Sequence, residues 1–274
     1  MKDVNDSKSG FHPGIFVATG LALLALVVGA SRVEARGPGQ PGNDSAKPES
    51  IDGTLLVDSF ESLLKDQDVK AFRDRVDTRY TVESLTRILG NSPDVKARRA
   101  AAFAAGFSAN FSTSNAAVAR GLRDSDPAVR NLTENALWAI WFRASTPENN
   151  KAIEEVTRLI GEREFDRAIE KATKLIEKAP DFAEAYNQRA IAHYLKGELA
   201  ESAEDCQKVL ARNPYHFGAL NGMSGCYQRL GQPRKALSAL RQALRVRPHE
   251  ASIAEAIKDL EQELGPDPAA GLDA

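Results

Sequence analysis

Four histidines (His12, His193, His216 and His249) and two cysteines (Cys206 and Cys226) are the side chains best suited to acid–base, nucleophilic or metal chemistry in this chain. Their spacing does not assemble them. Zinc and iron–sulfur sites need closely spaced ligand pairs, and none is present. Nor is there a Gly-rich phosphate loop, a nucleophile elbow or a constellation of paired carboxylates. His193 falls on a helix at a core-type position and reads as a packed or partly exposed side chain. His216 follows Pro214 and reads as a residue that shapes a turn. Cys206 and Cys226 fall on adjacent predicted helices at semi-buried positions, where a disulfide and two free thiols both fit. The expectation is a non-catalytic chain with no cofactor and no metal.

Charge is the second possible source of chemistry. Residues 215–248 carry Arg229, Arg234, Lys235, Arg241, Arg245 and Arg247 and no acid, a local +6. Residues 249–274 carry seven acids against Lys258, a local −6. Either the acidic segment lies against the basic one, or the basic one is a surface for an acidic partner or an anionic polymer. A nucleic-acid surface wants aromatics interleaved with the cations, and Tyr227 alone does not supply them. Nucleic acid is therefore an unlikely partner.

The elements that hold these residues are helical. Of 274 residues, 42% are hydrophobic, 27% charged and only 7% aromatic, with a net charge of −2. That composition excludes wholesale disorder and a polytopic membrane protein, and Ala, Leu, Arg and Glu favour helices over a sandwich or barrel.

Residues 1–35 read as an address. Ile15 to Ala30 form sixteen positions without a charge, a helix of about 24 Å against a hydrocarbon core of about 30 Å. This suits a signal peptide, with small-residue cleavage sites at Val28-Gly29-Ala30 and Val33-Glu34-Ala35. An uncleaved inner-membrane anchor over residues 14–31 is the alternative. Either implies export to the periplasm or cell envelope. Residues 36–50, with three Pro and three Gly, read as a flexible linker.

Residues 51–147 are expected to be helical. Leu55, Leu56, Phe60, Leu63 and Leu64 fall on one stripe, and Val69, Phe72 and Val76 suggest a second helix. Between Tyr80 and Ala144 an offset of 34 pairs Pro93 with Pro127 and Val95 with Val129. The string Asp124-Ser125-Asp126-Pro127-Ala128-Val129-Arg130 resembles the turn and second helix of HEAT-type repeats. That resemblance implies an Arg bonding back across the turn, a role for Arg130 in one copy and for Lys96 or Arg98 in the other. Some HEAT-like proteins bind iron through His–Glu pairs; the absence of His between 13 and 192 excludes that version.

Residues 148–265 carry a clearer repeat. Pro180, Pro214 and Pro248 stand 34 apart, as do Ala168, Ser202 and Ala236. Gly197 and Gly231 fall where first helices end and a left-handed residue is wanted. Small Ala190, Ser224 and Ala236 permit close helix approach, while Tyr186, Tyr227 and Leu240 fill the gaps. This pattern resembles three tetratricopeptide repeats over 150–248, with Ile253, Ile257 and Leu260 on a capping helix. Arg189 and His193 depart from the family's usual Leu and Tyr, and the first copy lacks the turn Gly. The last two copies are also similar to exported bacterial repeat proteins of unassigned function. Trp138, Trp141 and Phe142 fall where the HEAT-like part meets the first tetratricopeptide helix, and read as a junction core rather than a ligand cage. Residues 266–274 read as a disordered tail.

The fold expected is thus an all-α helical-repeat solenoid: HEAT-like helices, three tetratricopeptide repeats and a capping helix. The resemblance implies a concave face built from one side of each first helix. In this sequence that face comprises Glu184, Asn187, Ile191 and Tyr194, then Gly218, Asn221, Gly225, Gln228 and Arg229. Asn187, Ile191, Tyr194, Asn221, Gln228 and Arg229 are the candidate partner-binding residues. The implied role is a non-catalytic scaffold or adaptor for a protein or peptide partner at the cell envelope. Its alternative is a binder of an acidic partner, anionic polymer or nucleic acid through the basic third repeat. Membrane contact would come only through the N-terminal apolar segment, if uncleaved.

Overall fold

The computed structural model describes residues 53–265. The address and linker expected before residue 51 and the tail expected at 266–274 lie outside that range. Among the described residues no helix is long and apolar enough to cross a membrane. The described chain is helical throughout. Six helices come first: α1 (Thr54–Asp66), α2 (Val69–Arg79), α3 (Val82–Asn91), α4 (Val95–Ser108), α5 (Phe111–Ala119) and α6 (Pro127–Phe142), with a 3-10 turn over Arg120–Arg123. Three antiparallel pairs follow: α7 (Pro147–Gly161) with α8 (Phe165–Lys178), α9 (Ala183–Lys196) with α10 (Leu199–Arg212), and α11 (Phe217–Arg229) with α12 (Pro233–Val246). The capping helix is α13 (Ala251–Leu264).

Helix starts follow the capping chemistry written in the chain. Asp68, Asp94, Asn110, Asp126 and Thr146 each accept a backbone N–H of the first turn, and Thr81 with Ser84 closes a capping box. The turn between paired helices repeats at the 34-residue period. Glu164 N–H donates to Leu159 O at 2.9 Å, Glu198 N–H to His193 O at 2.9 Å, and Gln232 N–H to Tyr227 O at 2.8 Å. Each turn needs one left-handed residue. Gly197 (φ 92°) and Gly231 (φ 67°) supply it in two repeats; the first repeat, lacking Gly, places Arg163 there at φ 63°.

The spacing rules hold inside the repeats. Ala168, Ser202 and Ala236 are buried, as are Ala190 and Ser224, while Tyr186, Tyr227 and Leu240 fill the spaces between pairs. Arg189 replaces an apolar residue and is satisfied by Asp205 through two parallel hydrogen bonds, Nε–Oδ2 at 2.7 Å and Nη2–Oδ1 at 2.8 Å. His193, expected at a core-type position, is half-buried, and its Nδ1 lies 2.6 Å from Glu198 Oε2 at the turn. Cys206 and Cys226 are buried free thiols. Burial pushes both thiols above their ordinary range, far above it for Cys206. Cys226 donates to Ser202 Oγ at 3.3 Å.

In the first six helices the offset of 34 is corrected. Hydrogen bonding equates the N-cap Asp94 with Asp126, and Arg98 with Arg130, a shift of 32. Arg98 Nη1 donates to Ser92 O and Pro93 O, and Arg130 Nη1 to Asp124 O and Ser125 O. Arg98 also reaches Asp124 of the next turn at 2.7 Å, and Arg99 reaches Asp126 at 2.6 Å. Aligning Pro93 with Pro127 misled because Pro93 precedes its cap whereas Pro127 is the first residue of its helix.

Candidate functional site: the concave face and the helix that fills it

The first helices of the pairs, α7, α9 and α11, line the inner face, and α6 packs into it. Trp141 of α6 is buried and stacks on His216, with centroids 4.3 Å apart and planes 20° from parallel. Trp138, half-buried, meets His216 edge-on at 5.2 Å and Phe217 at 5.3 Å. Phe217, the first residue of α11, belongs to the same apolar core as α1–α6. These aromatics do form a junction core. The junction, however, is with the third repeat, and only Phe142 packs with the first pair. The sequence position of α6 beside α7 suggested otherwise; the curl of the repeats brings α11 round to it.

Polar groups buried beneath the aromatics are paired. His216 caps α11 by accepting the Ala219 N–H at its Nδ1, 3.0 Å. Its proton therefore sits on Nε2, which faces Glu184 Oε2 at 3.2 Å. Glu184 Oε1 accepts from the amides of Asn187 at 2.8 Å and Gln188 at 2.7 Å. Both ends of the Glu184–His216 pair have 0% side-chain exposure. A second polar thread crosses the junction: Trp141 Nε1 donates to Asn115 Oδ1 at 2.8 Å, and Asn115 Nδ2 donates to Asn213 Oδ1 at 2.9 Å. At the rim Arg247 meets Glu134 at 3.2 Å, and Arg247 lies over the Phe217 ring. Burial raises the Glu134 carboxyl and lowers the Arg247 guanidinium, and each partner's charge opposes the shift.

The candidate concave-face residues divide accordingly. Asn187 is buried and its amide is committed to Glu184, so it leaves the open face. Gly218 lies under Trp138, where an added Cβ would sit 2.8 Å from the indole. Ile191 is half-buried against the core of the first pair. Tyr194 and Asn221 are half-buried, and Gln228 and Arg229 are exposed. The Arg229 guanidinium lies 4.9 Å from the centre of the Tyr194 ring, joining successive repeats at the open end. Sequence reasoning placed Glu184 and Gly218 on the inner face and His216 at a turn. It did not anticipate that α6 would seal them; a Trp pair on one helix and a buried-type His after Pro214 were the signal available.

The basic third repeat is partly neutralised by the acidic cap. Arg241 pairs with Glu261 at 2.7 Å, and Arg247 with Glu250. Among the described residues no group of His, Cys, Asp and Glu could hold a metal ion.

The repeat region is similar in sequence to known tetratricopeptide-repeat proteins. Residues 150–257 match the family model of the N-terminal TPR repeats region of Psidin. A TPR repeat-containing protein of Rhizobium etli is 27% identical over 142 residues, spanning 52% of this chain and 70% of that one. Among solved structures, the Sgt2 TPR domain from Aspergillus fumigatus is 19% identical, with a TM-score of 0.41 over 47% of this chain and 95% of that one. YrrB, described as a TPR protein with an unusual peptide-binding site, is 19% identical, with a TM-score of 0.38 over 73% of this chain and 97% of its own. With the 34-residue turns, the paired helices and the cap in place, residues 150–257 form a tetratricopeptide-repeat region.

Proposed function

We propose that the chain is a non-catalytic adaptor that holds a protein or peptide partner at the open end of its concave face. Repeat modules of this kind serve as interaction scaffolds because stacked pairs leave an extended surface free of the core. The observation that carries the reading is the Tyr194–Arg229 pair. An amphipathic ring and a cation from consecutive repeats sit together at the groove end that α6 leaves open. Tyrosine and arginine concentrate binding energy where they are held in place before contact. Ile191, Asn221 and Gln228 border them on α9 and α11. Asn187 supports the surface from below through Glu184.

A photo-crosslinking residue installed at Gln228 tests this, with Lys174 on α8 as the position away from the groove. One protein captured from Gln228 and not from Lys174, and lost in Tyr194→Ala/Arg229→Glu, is the expected result. Equal capture from both positions, or capture unchanged by the double substitution, overturns it.

The cell envelope is the proposed location, supported by the uncharged run Ile15–Ala30. N-terminal sequencing of the protein recovered from its native host tests this. A start near Ser31 or Arg36, or an intact Met1 in the membrane fraction, agrees with it; an intact Met1 in the cytosol does not.

A further inference from the structure

Two clefts border α12 where it meets its neighbours, and Gln242 lines both. One, of about 520 Å³, runs between the end of α5 with its 3-10 turn and the third repeat. Its floor is apolar, from Ala119, Leu220 and Val246, and its rim holds Arg120, Arg123 and Arg245 with no acid among the lining residues. The other, of about 320 Å³, is bordered by Leu210, Met223, Tyr227 and Lys235. Lys235, Ala239, Gln242 and Val246 recur at three and four residues along α12, so they form one stripe, with Ala239 fully buried, Gln242 and Val246 half-buried and Lys235 exposed. From Lys235 to Arg245 the stripe is about 15 Å long.

Three arginines gathered without a counter-ion make a local positive potential that attracts an anionic ligand. Arg123 is braced by donating to Arg245 O, and it also lies against His249. Arg120 and Arg245 are exposed, and neither side chain forms an ion pair with a described residue, whereas Arg241 and Arg247 of the same repeat do. The apolar floor between the cations favours a ligand that carries apolar groups between its charges. A stripe of about 15 Å matches about five residues of extended chain. The face of Tyr227 is occupied by Lys235, 5.4 Å from its centre, so the stripe offers no free stacking platform there for a base. We infer that the α12 stripe, closed at one end by Arg120, Arg123 and Arg245, is a binding site for an extended acidic peptide with aliphatic residues between its carboxylates. This site uses none of the residues of the concave face, so the two readings stand or fall separately.

Fluorescence anisotropy on the full chain tests it, with a fluorescein-labelled peptide alternating Asp and Leu, a matching Lys–Leu peptide and a labelled oligo-uridine. The expected result is saturable binding of the acidic peptide at physiological salt. Arg120→Glu/Arg245→Glu should weaken it by about tenfold or more. Lys151→Glu/Lys258→Glu, which makes the same charge change elsewhere, should alter it by less than about twofold, and Tyr194→Ala/Arg229→Glu should leave it unchanged. Absence of binding, equal loss in both charge-reversed proteins, equal affinity for the Lys–Leu peptide, or displacement of the peptide by oligo-uridine would each overturn the assignment. The last outcome would mark the stripe as a nucleic-acid surface.

Discussion

Trp141 and His216 lie face to face 4.3 Å apart, and the indole N–H of the same tryptophan is spent on Asn115. One side chain therefore binds α5, α6 and the third repeat together. Trp141→Ala removes a buried ring that has no room to be replaced, and should destabilise the fold by about 3–5 kcal/mol. Trp138→Ala, at a half-buried position, should cost less. Chemical denaturation followed by circular dichroism measures both; equal effects would contradict the burial difference.

The Glu184–His216 pair is sealed from water, so its halves are not interchangeable with empty space. His216→Ala leaves a carboxylate buried with two amide donors and no ring, and should cost about 3–5 kcal/mol. Glu184→Leu with His216→Phe removes both polar ends and should recover most of that loss. A double-mutant cycle on the unfolding midpoint checks the non-additivity.

Two glycines of α11 should answer oppositely to alanine. At Gly222 a Cβ would meet only Cys206 Sγ at 3.4 Å, ordinary contact, so Gly222→Ala should stabilise by about 0.5–1 kcal/mol. At Gly218 the Cβ would sit 2.8 Å from Trp138 and 3.2 Å from His216, so Gly218→Ala should destabilise. Intrinsic tryptophan fluorescence should shift in the Gly218 variant alone.

Arg163 holds a left-handed conformation that its two counterparts fill with glycine. Arg163→Gly should gain about 1 kcal/mol despite the added freedom of the unfolded chain. Thermal melts of the single variant decide this; a lower melting point would show that the turn is not strained.

Asp126 is held down to about pH 2, first by the hydrogen bonds from Arg99 and then by the Val129 N–H it caps. A carboxyl lowered from about 3.9 in the unfolded chain stabilises the fold above that value, and its contribution disappears as pH falls towards 2. Asp126→Asn keeps a capping oxygen and loses the charge. Its stability should fall less steeply between about pH 4 and pH 2, measured by urea titration at each pH.

The repeats were legible because their signals are local. Pro180, Pro214 and Pro248, the small residues one helix face apart, and Gly197 and Gly231 each report on turns within a few residues. Even the missing glycine of the first copy was visible, and Arg163 fills its place. The placement of α6 was not legible, since Trp141 pairs with His216 across most of the repeat region and nothing in either neighbourhood names the other. The division of the concave face follows from that single long-range packing. Asn187 and Tyr194 sit one and three turns along the same helix, yet one is sealed and the other open. The offset of 34 in the first helices failed for a local reason: prolines fall on different sides of their caps.

A linear stack of repeats folds from near-neighbour contacts and frays from its ends. The thread from Trp141 through Asn115 to Asn213 closes that line into a loop. Its contacts join residues about a hundred positions apart, so loop closure must precede their reward and folding should be slower than for an open array of the same length. In exchange α11 and α12 lose the independence of terminal repeats, and within residues 53–265 proteases should find no ladder of partially unfolded forms, only the intact helical region or its complete digestion.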